Sequence, residues 1–377
     1  MKILVVSHEY PPVGGGGANA CEYITQAFAL KGHKVTIVTA WFQGQADHEE
    51  VNGVEIYRIH SKREKMGHCN FSEMLRFIVK ALPFSSKLER EKQFDICQIF
   101  FGIPSGPIGY YLKKKYELPY IIRFGGGDIP GFQDRFALLY KVLEPVIKVI
   151  WNNASALIAN SQGLKDFALQ FYAKKEIEII PNGVDTEKFF PIERKQVNDK
   201  IDLLFVSRLI ERKGIQFVIP KLKAIEEKTG KKIHLTIVGD GPYKGILQQI
   251  TNENDVDSIV SFEGQKSKKE LVKYYQNSDV FILPSKREGM PNVVLEAMAC
   301  GLPIVMTPCE GSAELVSTNG IIANGDFADA IIEMINSKDI KMLGAESRRL
   351  AEDVFGWKNV ADKYEFSIRN LKNSQYK

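Results

Sequence analysis

Asp202-Leu-Leu-Phe-Val206, running directly into Ser207-Arg-Leu-Ile-Glu-Arg-Lys-Gly214, is the stretch on which the fold turns. A short apolar run that ends in a polar, glycine-closed loop reads as a buried strand feeding a helix. The same alternation has already run once upstream: Ile3 to Ser7, a helix after Ala18, Val35 to Ala40, Val54 to Ile59, Ile96 to Phe101, Tyr120 to Phe124, Ala156 to Ala159 and Glu178 to Ile180. At Asp202 it restarts, and His234 to Val238, Ile259 to Phe262, Asp279 to Leu283 and Pro303 to Met306 continue it. Strands alternating with helices imply a parallel sheet covered on both faces. The restart implies two doubly wound, Rossmann-like α/β domains in series.

The polar stretch Asp185 to Lys200 follows the turn Pro181-Asn182-Gly183 and lacks a sustained apolar period, so it reads as the link, with the boundary near residue 193. The domains expected are thus 1–193 and 194–354. Beyond Phe355, the residues Trp357, Val360, Tyr364, Phe366 and Ile368 recur near helical spacing; a final helix over 355–377 must bury one face, and is expected to pack back on the N-terminal domain. With 377 residues, two domains of ordinary size account for the chain.

A hydrophobic share of 44% and a charged share of 25% describe a folded, soluble chain. Five scattered cysteines without C-x-x-C spacing suggest neither a disulfide framework nor a zinc site, which fits a cytoplasmic setting. The run Lys2-Ile-Leu-Val-Val6 is too short for a signal-peptide core, and no segment approaches about 20 uninterrupted apolar residues, so membrane contact is expected only as peripheral. A net charge of +4, spread along the chain, does not favour nucleic acid as a partner.

In open parallel sheets, ligands bind beyond the carboxyl ends of the strands, so chemistry is sought in strand-to-helix loops. Arg208 and Lys213 flank one such loop, where two cations can converge on a diphosphate; a solvated basic loop is the plain alternative. A second loop, Pro284-Ser-Lys-Arg-Glu-Gly-Met-Pro-Asn292, opens a helix. Pro291 suits the first helical turn because it lacks an amide hydrogen, Gly289 permits close approach of a ligand, and the free amides of Met290, Asn292 and Val293 around it lie at the positive end of the helix dipole. Glu288 and Glu296 stand eight residues apart across this element; carboxylates accept from vicinal hydroxyls, so Glu296 suits a ribose and Glu288 a transferred sugar.

The run Ser207 to Gly214, the turn Val238-Gly-Asp-Gly-Pro242, the E-x7-E element Glu288 to Glu296 and the tail Ala297-Met-Ala-Cys-Gly-Leu-Pro303 resemble the family 4 retaining glycosyltransferases of GT-B fold. The similarity extends through Glu310-Gly-Ser-Ala-Glu314, Asn319-Gly-Ile-Ile322 and Gly325-Asp326. It implies two Rossmann-like domains facing across a cleft, an acceptor-binding N-terminal domain and a donor-binding C-terminal one. It implies a UDP- or GDP-sugar as donor, without a metal. Arg208 and Lys213 would bind the diphosphate, Glu288 the sugar, Glu296 the ribose, and Gln265 would flank the base. The implied acceptor is a glycan or a lipid-linked saccharide, in surface polysaccharide assembly.

On the N-terminal side, His8-Glu-Tyr-Pro-Pro-Val13 and Gly14 to Gly17 form a loop after the first strand, with a helix expected near Ala18 to Ala20. Its spacing is not that of a dinucleotide site. The resemblance makes Gly15, Gly16 and Gly17 donor contacts; a plain loop is the alternative. Arg123-Phe-Gly-Gly-Gly-Asp128 stands where many members carry a histidine near the reacting sugar, and this chain has none there. Asp128 either binds acceptor or caps the next segment, while Gly125 and Gly126 could fill the vacated space. His33 reads as a structural turn residue. Asp255-Val-Asp257 spells D-x-D but precedes a strand, and reads as a loop. Between Ser61 and Lys92, eight basic residues interleave with Phe71, Met74, Leu75, Phe77, Ile78 and Leu82. Such a stretch either lies on the anionic inner face of a membrane or packs as a helix on its own sheet. A nucleotide-sugar epimerase and a catalytically silent nucleotide-sugar binding protein are the competing functions.

Overall fold

The computed structural model describes residues 1–67, 69–132, 137–193, 199–337 and 339–374. The chain forms two compact units, Met1–Asn182 with Trp357–Lys377, and Gly183–Gly356. The boundary expected near 193 thus falls at Asn182/Gly183, because Val184 and Phe189 are already buried in the second unit's apolar core. Residues 194–198, where the second domain was expected to begin, lie outside the described residues, as do 375–377 at the end of the last helix.

The first unit holds β1 (Lys2–Val6), β2 (Lys34–Ala40), β3 (His48–Val51), β4 (Val54–Ile59), β5 (Ile96–Phe100), β6 (Tyr120–Arg123), β7 (Ala156–Ala159) and β8 (Ile177–Ile179), in the order β3-β4-β2-β1-β5-β6-β7-β8. Every residue of β5 and β6 is buried, as a parallel strand covered on both faces requires. The expected all-parallel sheet is corrected at one edge, where β3 pairs antiparallel with β4. The turn between them is Asn52-Gly53, both with positive φ, a type I′ signature that the charged, exposed run His48-Glu-Glu-Val51 masks in the sequence.

Helices Phe71–Lys92, Gly102–Tyr116, Ala137–Asn153 and Gln162–Phe171 cover one face of this sheet through Phe77, Ile108, Ile147, Trp151 and Leu164. Helices Gly16–Leu30 and Trp357–Ser374 cover the other through Ile24, Phe28, Val360 and Tyr364. The terminal helix is fastened there by Tyr23 stacked on Trp357 at 4.8 Å, by Lys31 paired with Glu365 at 2.6 Å, and by Ser367 Oγ donating to Glu178 Oε2 at 2.7 Å.

The second unit holds β9 (Lys200–Val206), β10 (Lys232–Val238), β11 (Val260–Gly264), β12 (Val280–Leu283), β13 (Ile304–Met306) and β14 (Gly320–Ile322), all parallel, in the order β11-β10-β9-β12-β13-β14. β14 was not expected as a strand; at three residues it is too short to carry a period. In each sheet the strand order reverses at the centre, between β1 and β5 and between β9 and β12. At such a reversal the loops leave toward opposite faces and open a crevice at the carboxyl edge.

Candidate active site

In the second unit, the loops after β9 and β12 meet at that reversal. Gly214 shows how tightly: its φ is +77°, and a Cβ there would lie 1.9 Å from the carbonyl oxygen of Pro284, so only glycine lets the two backbones touch. The contact is cross-stitched by Lys286 N donating to Arg212 O at 2.9 Å and Arg212 Nη1 donating to Arg287 O at 2.9 Å.

Two of the sequence-derived candidates are brought into direct contact. Lys213 Nζ pairs with Glu288 Oε1, each side chain only 12% exposed, and Ser285 Oγ donates to the same carboxylate oxygen at 2.7 Å. Arg208 stands at the start of the same loop, exposed, and its guanidinium has no hydrogen-bond or ion-pair partner among the described residues. The crevice therefore offers one cation already neutralised by a fixed carboxylate and one uncommitted. A third loop, after β13, closes in as Glu310 N donates to Glu288 O at 3.2 Å, with Glu310 Oε1 3.8 Å from Arg287 Nε.

Gly289 and Met290 lead from this contact into the helix Asn292–Ala299. The sequence reading placed Pro291 inside the first turn; it is instead the N-cap, with φ −73° and ψ 116°, and its carbonyl accepts from Val294 N at 3.1 Å. As a proline, the N-cap has no side-chain acceptor to offer this helix start. Glu296 lies farther along the helix, half-buried, accepting from Tyr275 Oη at 2.8 Å. Burial raises the Glu296 carboxyl above its usual range, opposed by the Tyr275 hydrogen bond and by Lys268 and Lys188. Gln265 is exposed just past β11, at the same carboxyl edge but two strands from β9. Asp257 opens a short turn at the amino end of β11, the opposite edge.

Tyr275, Ser285 and Glu310 were not singled out from sequence. Tyr275 sits in a helix over Lys268–Gln276 with ordinary amphipathic spacing, and nothing local announces that its hydroxyl reaches a carboxylate twenty-one residues away. Ser285 was legible in principle, three residues before Glu288 on one loop.

In the first unit, the corresponding reversal lies between β1 and β5. The helix there begins at Gly16 with Gly15 as N-cap, earlier than the expected Ala18 to Ala20. Gly17 is pressed on Phe101 so closely that a Cβ would lie 2.4 Å from the ring's Cζ, whereas the space beside Gly15 is open. His8 was passed over in the sequence. It is buried, edge-on to Phe101 at 4.9 Å, with Nε2 3.7 Å from Glu9 Oε1 and Nδ1 without a partner among the described residues. Burial pushes its imidazole down to about 4.

Asp128 is buried with both carboxylate oxygens committed: Oδ2 accepts from Gly102 N at 2.6 Å and Oδ1 from Gly125 N at 2.8 Å. It ties the loop after β6 to the start of the helix after β5, which precedes it in the chain, rather than capping the segment that follows. His33 is likewise structural, its Nδ1 3.1 Å from the N-terminal amine. Arg63, one of the basic residues counted toward a membrane surface, is buried and donates to the carbonyls of His8 and Met66 at 3.2 and 3.1 Å.

The profile of the glycosyl transferases group 1 matches residues 200–337, and that of glycosyltransferase family 4 matches residues 14–188. A GDP-mannose-dependent alpha-(1-6)-phosphatidylinositol monomannoside mannosyltransferase of Mycolicibacterium smegmatis is 24% identical over 382 residues, covering 94% of this chain and 95% of that protein. Among solved structures, sucrose-phosphate synthase from Thermosynechococcus elongatus superposes with a TM-score of 0.81 at 20% identity, over 99% of this chain and 100% of that one. HepE of Anabaena in complex with UDP does so at 0.74 and 16%, over 98% and 100%.

Proposed function

Because the chain belongs to glycosyltransferase family 4, the group 1 glycosyl transferases, and carries their GT-B fold, we propose that it transfers a sugar with retention from a UDP- or GDP-sugar to a glycan or lipid-linked acceptor. The observation that carries the reading is the Lys213–Glu288 pair set beside the uncommitted Arg208 at the strand-order reversal of the second unit.

Breaking the bond between the anomeric carbon and the donor phosphate leaves negative charge on a nucleoside diphosphate. Arg208 and Lys213 stabilise that charge, and the helix start at Asn292 adds its positive dipole end. Lys213, shared between Glu288 and the leaving diphosphate, links the group that meets the sugar to the group that receives the charge. Retention follows if the acceptor hydroxyl attacks on the face the diphosphate leaves, its proton passing to a donor phosphate oxygen, so no protein base is needed. With cations supplied by the chain, transfer is expected to persist in chelator. Glu296, oriented by Tyr275, is assigned to the ribose, Gln265 to the base edge, and Gly15, Gly16 and Gly17 to donor contacts. A relative that uses GDP-mannose and a fold neighbour that holds UDP support a nucleotide sugar as donor without choosing the base.

The test is a thermal-shift screen of nucleotides and nucleotide sugars. A ligand at 100 times its dissociation constant stabilises the fold by about 2.7 kcal/mol. Selective stabilisation by one nucleoside diphosphate, lost in Glu296→Ala, is the expected result; silence across UDP, GDP and ADP would overturn the reading. An epimerase would turn over donor with no acceptor present, which the same preparations can check.

A further inference from the structure

The helix Ala137–Asn153 buries Ile147, Ile150 and Trp151 against the first sheet, and carries a second apolar line that is exposed. Leu138, Val142, Val146 and Val149 are 79%, 70%, 52% and 45% exposed. Their spacing of four, four and three residues sets them on one stripe of an α-helix. Two helices away in the same layer, the helix Phe71–Lys92 repeats the device with Phe71, Leu75 and Val79, all exposed and four residues apart. Isolated exposed apolar residues need no explanation, but two aligned stripes on the outer side of one layer do.

The charge around them is one-sided. The three helices of this layer, Phe71–Lys92, Gly102–Tyr116 and Ala137–Asn153, hold ten lysines and arginines against four glutamates, and two of those glutamates, Glu73 and Glu89, are buried. The surplus exceeds the +4 of the entire chain. The middle helix contributes Lys114 above the Tyr110 ring and Lys115 above those of Tyr111 and Tyr116, amphipathic pairs suited to a boundary between apolar and charged surroundings.

We propose that this layer is a docking surface for an anionic lipid bilayer, with Leu138, Val142, Val146 and Val149 entering the headgroup region and the flanking cations engaging lipid phosphates. Apolar stripes alone would suit a protein partner equally; the positive rim selects a surface of fixed negative charge. The sequence pointed to residues 61–92 for this role. The structure withdraws Arg63 and Phe77 from it by burial, and adds the helix Ala137–Asn153, which the sequence reading had not marked. The inference does not depend on which donor the second unit takes.

The experiment is co-sedimentation of the full chain with vesicles of phosphatidylcholine alone and of phosphatidylcholine mixed with phosphatidylglycerol, at low and high salt. Binding is expected only to the anionic vesicles, to weaken with salt, and to fall on the order of tenfold or more in Val142→Glu/Val146→Glu, where two apolar contacts become charges of the wrong sign. Leu30→Glu, an exposed apolar site on the opposite layer, is expected to bind as the parent does. Three results would overturn the proposal: no anionic-vesicle binding, equal loss in Leu30→Glu, or a dimer in sedimentation velocity that the double variant dissociates, which would assign the face to a second copy. Nucleotide thermal shifts on the same variants keep the two readings apart, since their failure would sink the transferase assignment and leave the vesicle result standing.

Discussion

At the scale of single residues, the two cations of the second crevice are not equivalent, and the difference is measurable. Arg208 is exposed and uncommitted, so Arg208→Ala is expected to leave stability unchanged while lowering turnover about 10² to 10³-fold, as loss of a charge-stabilising donor does. Lys213→Ala should cost comparable activity and also about 1–3 kcal/mol of stability, because it strands the largely buried carboxylate of Glu288 with only Ser285 as donor. Lys213→Ala/Glu288→Gln should regain part of that stability and none of the turnover. Urea titration beside initial-rate assays separates these outcomes, and equal stability of the two single variants would count against the pair as drawn. His8 gives a second test at this scale. Its imidazole is held near 4 by burial, against Glu9, which favours the charged form, and with Arg63, which opposes it. The unfolded chain therefore takes up this proton first, near 6.5. Stability contributed by neutral His8 is complete above about 6.5 and is lost as pH falls toward 4, about 3 kcal/mol in all. Subtracting the pH profile of His8→Gln from that of the parent should leave a fall confined to this window; a flat difference would mean that His8 titrates normally.

At the scale of elements, the last helix is the clearest case of a sequence reading that needed the structure to acquire chemistry. Its apolar spacing announced a buried face, but not the partner of that face. The structure shows Arg123, fully buried at the end of β6, donating to Tyr364 Oη at 2.7 Å and paired with Asn182 Oδ1, with its guanidinium over the Phe100 ring. Tyr364→Phe leaves a buried guanidinium nitrogen without an acceptor and is expected to destabilise by about 1–3 kcal/mol, read as a lower urea midpoint at unchanged slope. Near-neutral behaviour would show that water replaces the hydroxyl. The most legible strands are runs of apolar residues buried on both faces, as in β5, β6 and β12. Those missed carried a weaker signal: β3 is a charged edge strand whose signal sat in its Asn52-Gly53 turn, and β14 is three residues long. The helix start at Gly16 was missed by two to four residues and that at Asn292 by about one, because glycine and proline mark the neighbourhood of a boundary without fixing its register. The site was legible where chemistry and spacing lay on one loop, as with Arg208 and Lys213. It was illegible where the partner came from another element, as with Tyr275 for Glu296 and Gly102 for Asp128.

At the scale of the whole molecule, the decisive arrangement is that each unit repeats the same device: a mainly parallel sheet with a reversal of strand order at its centre and a glycine-bearing loop at the reversal. Repetition alone does not say which crevice takes the nucleotide. The chemistry around each one distinguishes them. In the first, the buried groups are already spent on the protein: Asp128 on two amides, Arg63 on carbonyls, His8 neutral. In the second, five cations, Arg208, Arg212, Lys213, Lys286 and Arg287, stand on two loops against Glu211 and Glu288. A diphosphate should therefore bind principally to the second unit, and amide hydrogen exchange can read this segment by segment. Saturating nucleoside diphosphate is expected to slow exchange in the loops Ser207–Gly214 and Pro284–Pro291 and at the start of the helix Asn292–Ala299. The slowest amides of β9 and β12, which exchange through opening of that unit, should gain protection by up to the binding free energy. Amides of β1 and β5 report the alternative. If protection centred on them and on the loop before Gly16, the nucleotide would belong to the first unit, and the roles assigned to Arg208, Lys213 and Glu288 would fall together.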